Sequence, residues 1–383
     1  MIRTLFRGAR FPDSEWWWHS VFVEAVDDAG RTRPFSIVTN VQLTGAPLSG
    51  ECRPAAVVAI RDLERRETTV RFARGTLENG RAAGFFRRGW QLGRLDPEDP
   101  AWNEHAFAAD LEPDRVRGAL SGGAYVVHVN AEGLVLRLLL RQHVMARFGR
   151  RGWLDYDPRG LLPLWATSKM RLAEPTGTFR TGDGPTWTVT SGVAHFEQQC
   201  VLPSAMLPSV GAASLSAGSY LAESGRGLPA VPAWNWFRTT LPCGASLSAF
   251  VMWDSLTGRP MRRFAGLVDR LGLSFELPES DVEFLLREPR RVGETIVPRV
   301  GIVELVVPPG PHRVVPGPYA IRFDHDPETD FRVPYLTGAG LACIAHEAHS
   351  GVQVLSPGAS EPWNTVGTHE TIDLVASFTG LPE

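Results

Sequence analysis

The sequence predicts an all-β chain of two antiparallel sheet domains, and three observations carry that expectation. Short runs with period-two alternation of apolar and polar residues recur along the chain, while helical periodicity is scarce. Turn-forming residues are abundant, with 38 Gly and 30 Pro among 383 residues. That length exceeds what one ordinary core accommodates and is sufficient for two. Evenly spaced strands of this kind build a sandwich or a barrel rather than an open parallel sheet.

Strands are expected in order at residues 16–25, 33–43, 55–61, 68–73, 124–129, 134–142, 169–175, 177–181, 186–200, 234–241, 246–253, 302–307, 319–324 and 371–379. Asp27-Asp28-Ala29-Gly30 and Asn130-Ala131-Glu132-Gly133 have the composition of hairpin turns. Residues 44–54 and 96–115 read as long loops, the kind that cover a ligand at a barrel mouth. Helix is expected only over 260–272 and, for a turn or two, over 279–287. A stretch rich in Ser, Gly, Ala and Pro places the domain boundary. It gives an N-terminal domain at 1–205, a linker at 206–232 and a C-terminal domain at 233–383.

Composition excludes several functional classes. A formal net charge of −3, with basic residues scattered among acids, provides no field for phosphates, so no nucleic acid partner is expected. No apolar stretch approaches the roughly 20 residues of a membrane span; the longest, at 133–140, is far shorter, so no stable membrane insertion is expected. The N-terminal residues alternate Arg with apolar side chains and lack a secretory pattern, which gives a cytoplasmic expectation. Cys52, Cys200, Cys243 and Cys343 are dispersed and read as buried thiols. His346-Glu347-Ala348-His349 lacks the i, i+4 spacing of a helical zinc site, and the loop with Asp324, Asp326 and Asp330 lacks the glycine of a calcium loop. No metal and no cofactor is therefore expected. G-x-S-x-G, P-loop and dinucleotide fingerprints are absent from the sequence.

Four segments, in order, resemble the family of carotenoid hydratases (hydroxyneurosporene synthase), AttH-like attachment-protein relatives and lipocalin-like Diels–Alderases. Glu15-Trp16-Trp17-Trp18-His19 is similar to the family's E-W-W-Y opening, and Leu164 to Leu172, followed by Glu174 and Gly177, to its Y-Y-S-x-x-R-L and E-x-x-G segment. Gly192 to Cys200 stands where the family has G-x-a-W-F-D-H-Q-W, and Trp234-Asn235-Trp236-Phe237 resembles the W-D-W-F opening of its second domain. The resemblance implies two lipocalin-like (calycin) antiparallel β-barrels with a pocket in or between them. One departure bears on chemistry: the family's D-H pair is here Glu197-Gln198, and Gln cannot titrate near neutral pH as His does.

Alternation places His195, Glu197 and Gln199 on one strand face and Phe196, Gln198 and Cys200 on the other. These polar groups either face water or face a cavity, where His195, Gln198 or Gln199 would polarise a carbonyl and Glu197 would act as an acid. Trp16 and Trp18 share a face, as do Trp234 and Trp236, and each pair serves as barrel core or as the wall of a ligand cavity. Trp165, Lys169 and Arg171 are placed near the mouth. The functional expectation that follows from the resemblance is a cofactor-independent cyclase. It would promote [4+2] cycloaddition or related closure of an apolar polyene or polyketide substrate in specialised-metabolite or antibiotic biosynthesis. The alternatives are a hydratase or double-bond isomerase working through Glu197 and His195, and a carrier that binds apolar ligands unchanged.

Overall fold

The computed structural model describes residues 14–46, 51–74, 84–88, 107–111, 114–121, 124–131, 133–147, 153–154, 165–201, 232–254, 260–269, 271–292, 295–325, 331–336 and 342–373. The chain divides into two compact units, Met1–Met145 with Thr167–Pro203 and Ala146–Ala166 with Ser204–Glu383. Of the linker expected at 206–232, residues 206–231 lie outside the described residues, and Pro232 opens a strand.

The first sheet is built from β1 (Ser14–Asp27), β2 (Thr32–Ala46), β3 (Glu51–Asp62), β4 (Glu67–Arg74), β5 (Gly84–Arg88), β6 (Phe107–Leu111), β7 (Asp114–Ser121), β8 (Ala124–Ala131), β9 (Leu134–Arg147), β10 (Trp153–Leu154), β11 (Trp165–Thr181) and β12 (Trp187–Val201). Its order is β4-β3-β2-β1-β12-β11-β9-β8-β7-β6-β5, with β10 paired to β11. The first strand thus lies beside the last, and β3 comes round against β6, which curls the sheet on itself. Alternation sets the inner face: Leu134, Leu136, Leu138 and Leu140 are buried while Val135, Arg137, Leu139 and Arg141 are exposed. Phe35 packs against Phe179 and Trp187, each with ring centroids 4.8 Å away, and fills the end near the β1–β2 hairpin.

The second sheet contains β13 (Pro232–Thr240), β14 (Ser246–Asp254), β15 (Pro260–Val268), β16 (Ser274–Glu276), β17 (Val282–Val292), β18 (Thr295–Val307), β19 (Gly317–His325), β20 (Phe331–Leu336), β21 (Ala342–Leu355) and β22 (Trp363–Asp373). The order is β16-β15-β14-β13-β22-β21-β19-β18-β17, with β20 on β21. Here too the first strand pairs with the last, and β15 approaches β17. One apolar cluster draws side chains from both ends of this strand order, including Leu247, Ala265, Val282, Val303, Ile321 and Val352. The sheet therefore wraps around its own core as a barrel. Phe237 sits at its centre, 4.9 Å from Phe323 and 6.0 Å from Phe284. A β-carbon at Gly301 would collide with the Phe237 ring, so this residue must be glycine for the ring to fit.

The hairpins follow their sequences. Asp27 Oδ1 accepts hydrogen bonds from the Ala29 and Arg31 amides, and Gly30 takes φ +78°. Asp269 repeats the arrangement with Leu271, Leu273 and Gly272 at φ +88°. This is a turn closed by a residue in the left-handed region, which Gly adopts without steric cost. Gly133, at φ +67°, closes the expected β8–β9 hairpin.

Three expectations are corrected. Residues 260–272 do not form a helix: Pro260–Val268 is β15. Residues 264–269 are buried on both faces of the sheet, so their apolar side chains lose the alternation that marks a half-buried strand. Of 279–287, only Glu279–Asp281 is helical, a single 3-10 turn leading into β17. The long loop expected at 96–115 contains β6 and the start of β7, short strands whose polar flanks masked them.

Candidate functional site

Register divides the polar residues of β12. His195 pairs with Ser20, Glu197 with Trp18 and Gln199 with Trp16, whereas Gln198 pairs with Trp17. Directly opposed residues share a face of the sheet. His195, Glu197 and Gln199 therefore lie on the Trp16–Trp18 face and Gln198 on the reverse, the division alternation predicts. From the other side, β2 sets Asn40 opposite Trp18, Val38 opposite Ser20 and Ser36 opposite Phe22.

Neighbours further along the strands show which face is which. Val21, Ile37 and Ala194 form one register row on the His19 face and are buried in the barrel interior. The Trp18 face is thus the outer face of the sheet, yet Trp18, Ser20, Ser36, Val38 and Asn40 are each no more than 1% exposed. His195 is half-buried. Among these groups, Ser20 Oγ, Ser36 Oγ and both amide atoms of Asn40 meet no hydrogen-bond partner. Buried polar atoms are ordinarily paired, so four unsatisfied atoms on one sheet face are unusual for a scaffold.

The inner face is chemically different. His19 Nδ1 and Thr39 Oγ1 are hydrogen-bonded at 2.9 Å in the barrel interior. Burial pushes the His19 imidazole down to about 3, against a smaller opposing effect of Thr39, so the ring is neutral at physiological pH. It acts as a hydrogen-bonding group and not as an acid or base.

In the second unit, Trp234 and Trp236 share the outer face of β13 and Asn235 and Phe237 the inner one, again as alternation predicts. Trp234 Nε1 donates to Glu370 Oε1 at 3.0 Å, and Trp236 Nε1 donates to Ser248 Oγ at 2.7 Å. Arg238 lies 3.5 Å from Glu370 and 5.5 Å from the centroid of the Trp236 ring. Trp236 also packs on Phe250 at 5.3 Å. These tryptophans are held by their own partners.

Trp165, Lys169 and Arg171 all lie on β11, Trp165 opposite Leu154. Their side chains, like those of Trp16, Glu197, Gln198 and Gln199, lie outside the described residues. No group of three or more His, Cys, Asp or Glu with metal-holding geometry occurs among the described residues. No helix there is long and apolar enough to cross a membrane.

Sequence reasoning missed Asn40, Ser20 and Ser36. The available signal was their placement: Ser36 and Asn40 interrupt an otherwise apolar run in a central strand, where a polar side chain must find a partner or go unsatisfied.

Fold and face together define a double lipocalin-like β-barrel with a buried, partly unsatisfied polar patch on its first strand pair. Among solved structures the fold is similar to that of an AttH-type protein from Nitrosomonas europaea, with a TM-score of 0.62 and 14% identity over 95% of this chain and 93% of that one. It is also similar to kievitone hydratase from Nectria haematococca, with a TM-score of 0.57 and 12% identity over 95% of this chain and 91% of that one. CghA, solved with Sch210972, gives a TM-score of 0.55 and 10% identity over 95% of this chain and 89% of that one. The resemblance in the sequence is thus borne out as a likeness of fold. No protein-family model and no curated protein sequence matches the chain.

Proposed function

We propose that the protein is a cofactor-independent cyclase that closes a ring in a linear polyene or polyketide-type intermediate by [4+2] cycloaddition or a related pericyclic step. The outer face of β2–β1–β12 is the wall against which the substrate is held. The observation that carries this reading is the Asn40 amide, buried beside Trp18 with neither its oxygen nor its nitrogen paired. A buried polar group left in that state costs about 1–3 kcal/mol. A substrate carbonyl placed there removes that cost and is polarised by the amide N–H, an effect that grows where water is excluded.

Such a reaction needs no nucleophile, and templating supplies most of what it does need. Holding two reacting segments in an aligned arrangement can lower a barrier by roughly 7–11 kcal/mol. Trp18, buried on that face, provides a flat apolar wall for that purpose. His195, one register row from Trp18, is placed to add a second hydrogen bond. The likeness of fold to a hydratase and to CghA supports an enzyme acting on a small organic molecule.

The same face favours one competing reading. His195 and Glu197 are two residues apart on a single face, an arrangement that suits proton transfer in a hydratase or isomerase. Product mass separates the possibilities. With a linear polyene carrying a diene and a conjugated carbonyl, a cyclase returns a ring-closed isomer, and Asn40→Leu lowers kcat/KM at least about tenfold. A product heavier by one water, abolished by Glu197→Gln, establishes the hydratase instead. Binding without turnover establishes a carrier.

A further inference from the structure

We infer that the second barrel contains its own binding site, on the inner face of β13, β22, β21 and β19, for a small neutral molecule that presents a hydroxyl group on a flat apolar body. The site is separate from the β2–β1–β12 face, because all its residues belong to the second unit.

Its floor is aromatic. Phe237 and Phe323 meet at 4.9 Å, and the His369 ring stacks on Phe237 at 4.5 Å with an interplanar angle of 14°. Around this floor the inner face turns polar. Asn235, His369, Thr371, His325 and Ser350 are all buried there, none more than 2% exposed. Register sets them in three successive rows: Thr371 opposite Asn235, His369 opposite Phe237, and Ser350 opposite His325 and Gly367. The His325 and His369 rings meet edge to face at 5.3 Å.

The patch is only half satisfied. Asn235 Oδ1 accepts from His369 Nε2 at 2.7 Å and from Thr371 Oγ1 at 3.2 Å. Asn235 Nδ2 and Ser350 Oγ, both sealed from solvent, have no hydrogen-bond partner. Turning the amide over exchanges its ends but still leaves one end empty. Two separate strands therefore direct unpaired polar atoms into the same interior, which a purely structural core avoids.

The chemistry of the occupant follows from what surrounds it. The five groups are uncharged apart from two imidazoles, and Arg238 lies on the opposite face of β13 from Asn235. Among the described side chains none would supply a countercharge to a carboxylate buried here, and its hydrogen bonds alone would not offset that cost. A neutral hydroxyl both accepts and donates, so it satisfies the Asn235 amide in either orientation. The aromatic floor suits a planar apolar body, and Gly301 and Gly367 keep that floor in place, since a β-carbon at either would collide with Phe237 or crowd Phe323.

The test uses the full chain with 2-naphthol as probe and 2-naphthoate as its charged counterpart. Fluorescence titration should show saturable 2-naphthol binding, with the anion at least about tenfold weaker, and the His325 and His369 imidazole nitrogen signals should shift on addition. Asn235→Leu and, as a milder change on the neighbouring strand, Thr371→Val should each weaken 2-naphthol about tenfold while leaving turnover of a polyene at the first unit unchanged. Imidazole signals unmoved at probe saturation overturn the proposal, as does equal affinity in the wild type and both variants. A crystal structure in which ordered waters occupy Asn235 Nδ2 and Ser350 Oγ in the presence of the probe also overturns it. Loss of polyene turnover with the naphthol site intact would instead count against the cyclase reading alone.

Discussion

The two barrels are built alike, and the buried asparagine amides they leave incompletely paired, Asn40 and Asn235, lie on opposite faces. In each, the first strand pairs with the last, and a glycine on the last strand lets the two approach: a β-carbon at Gly192 would strike the Phe22 carbonyl and one at Gly367 the Arg238 carbonyl. Aligned on that pairing, Val21 opposite Ala194 corresponds to Phe237 opposite His369, and His19 to Asn235. In the first barrel the inner polar pair His19–Thr39 is closed on itself, while the outer face carries unpaired Asn40, Ser20 and Ser36. In the second barrel the outer face is tied by Trp234–Glu370 and Trp236–Ser248, while the inner face carries unpaired Asn235 and Ser350. One strand pairing thus leaves an asparagine amide incompletely paired on the outer face in one barrel and on the inner face in the other, depending on which polar residues are given partners.

That comparison can be broken most forcefully at Phe237. Phe237→Ala removes the ring on which the second core closes, and a loss of about 3–5 kcal/mol is expected. Urea titration should show it confined to the second unit's transition, with the first unit's midpoint unmoved. A uniform loss across both units would mean that the barrels are not separate cooperative bodies.

His19 provides the next largest effect, and its sign is fixed. Its folded value of about 3 lies below the unfolded value near 6.5, so the unfolded chain binds the extra proton between those limits. Stability of the first barrel is complete above about pH 6.5 and falls as pH drops toward 3, by roughly 4 kcal/mol over the window. His19→Gln keeps a hydrogen-bonding group and removes the titration. Urea midpoints measured from pH 7 to pH 4 should therefore fall less in the variant than in the wild type, and equal slopes would refute the assignment.

Asn40 sharpens the difference between site and scaffold. Asn40→Leu replaces a buried, unpaired amide with an apolar side chain of similar size, so the ligand-free protein should gain about 1 kcal/mol even as turnover drops. A thermal melt of the variant at neutral pH checks the sign, and destabilisation would mean that the amide is already satisfied in solution.

The smallest expected effect is at the turns. Asp269 accepts hydrogen bonds from the Leu271, Leu273 and Arg313 amides. Burial alone would raise its carboxyl, but these amide donors hold it below the ordinary carboxylate value. Asp269→Ala should cost about 1 kcal/mol at neutral pH. The difference from wild type should shrink as pH falls through the folded carboxyl's titration, because a protonated Asp269 no longer accepts these bonds as a charge.

Much of the fold was legible because its signals are local. Alternation along 134–140, the D-x-x-G turn after Asp27 and the tryptophan pairs on β1 and β13 each depend on a few neighbouring residues, and each recurs in the structure as expected. Reading failed at 260–272, where burial on both faces erased the alternation that distinguishes strand from helix. The candidate site was only partly legible for a related reason. Period two showed that His195, Glu197 and Gln199 share a face, but not that the inner face of that strand pair is the His19 side or that Asn40 stands opposite Trp18.

By itself, then, the sequence determined the predominance of strand, the two-barrel class and which residues of a recognised strand share a face, since pleat and turn chemistry act over a few bonds. Only the tertiary structure decided which polar groups find partners. Asn40 and Asn235 are the same side chain in the same kind of strand, and they differ because pairing between distant strands places Thr371 and His369 beside one and an apolar tryptophan wall beside the other.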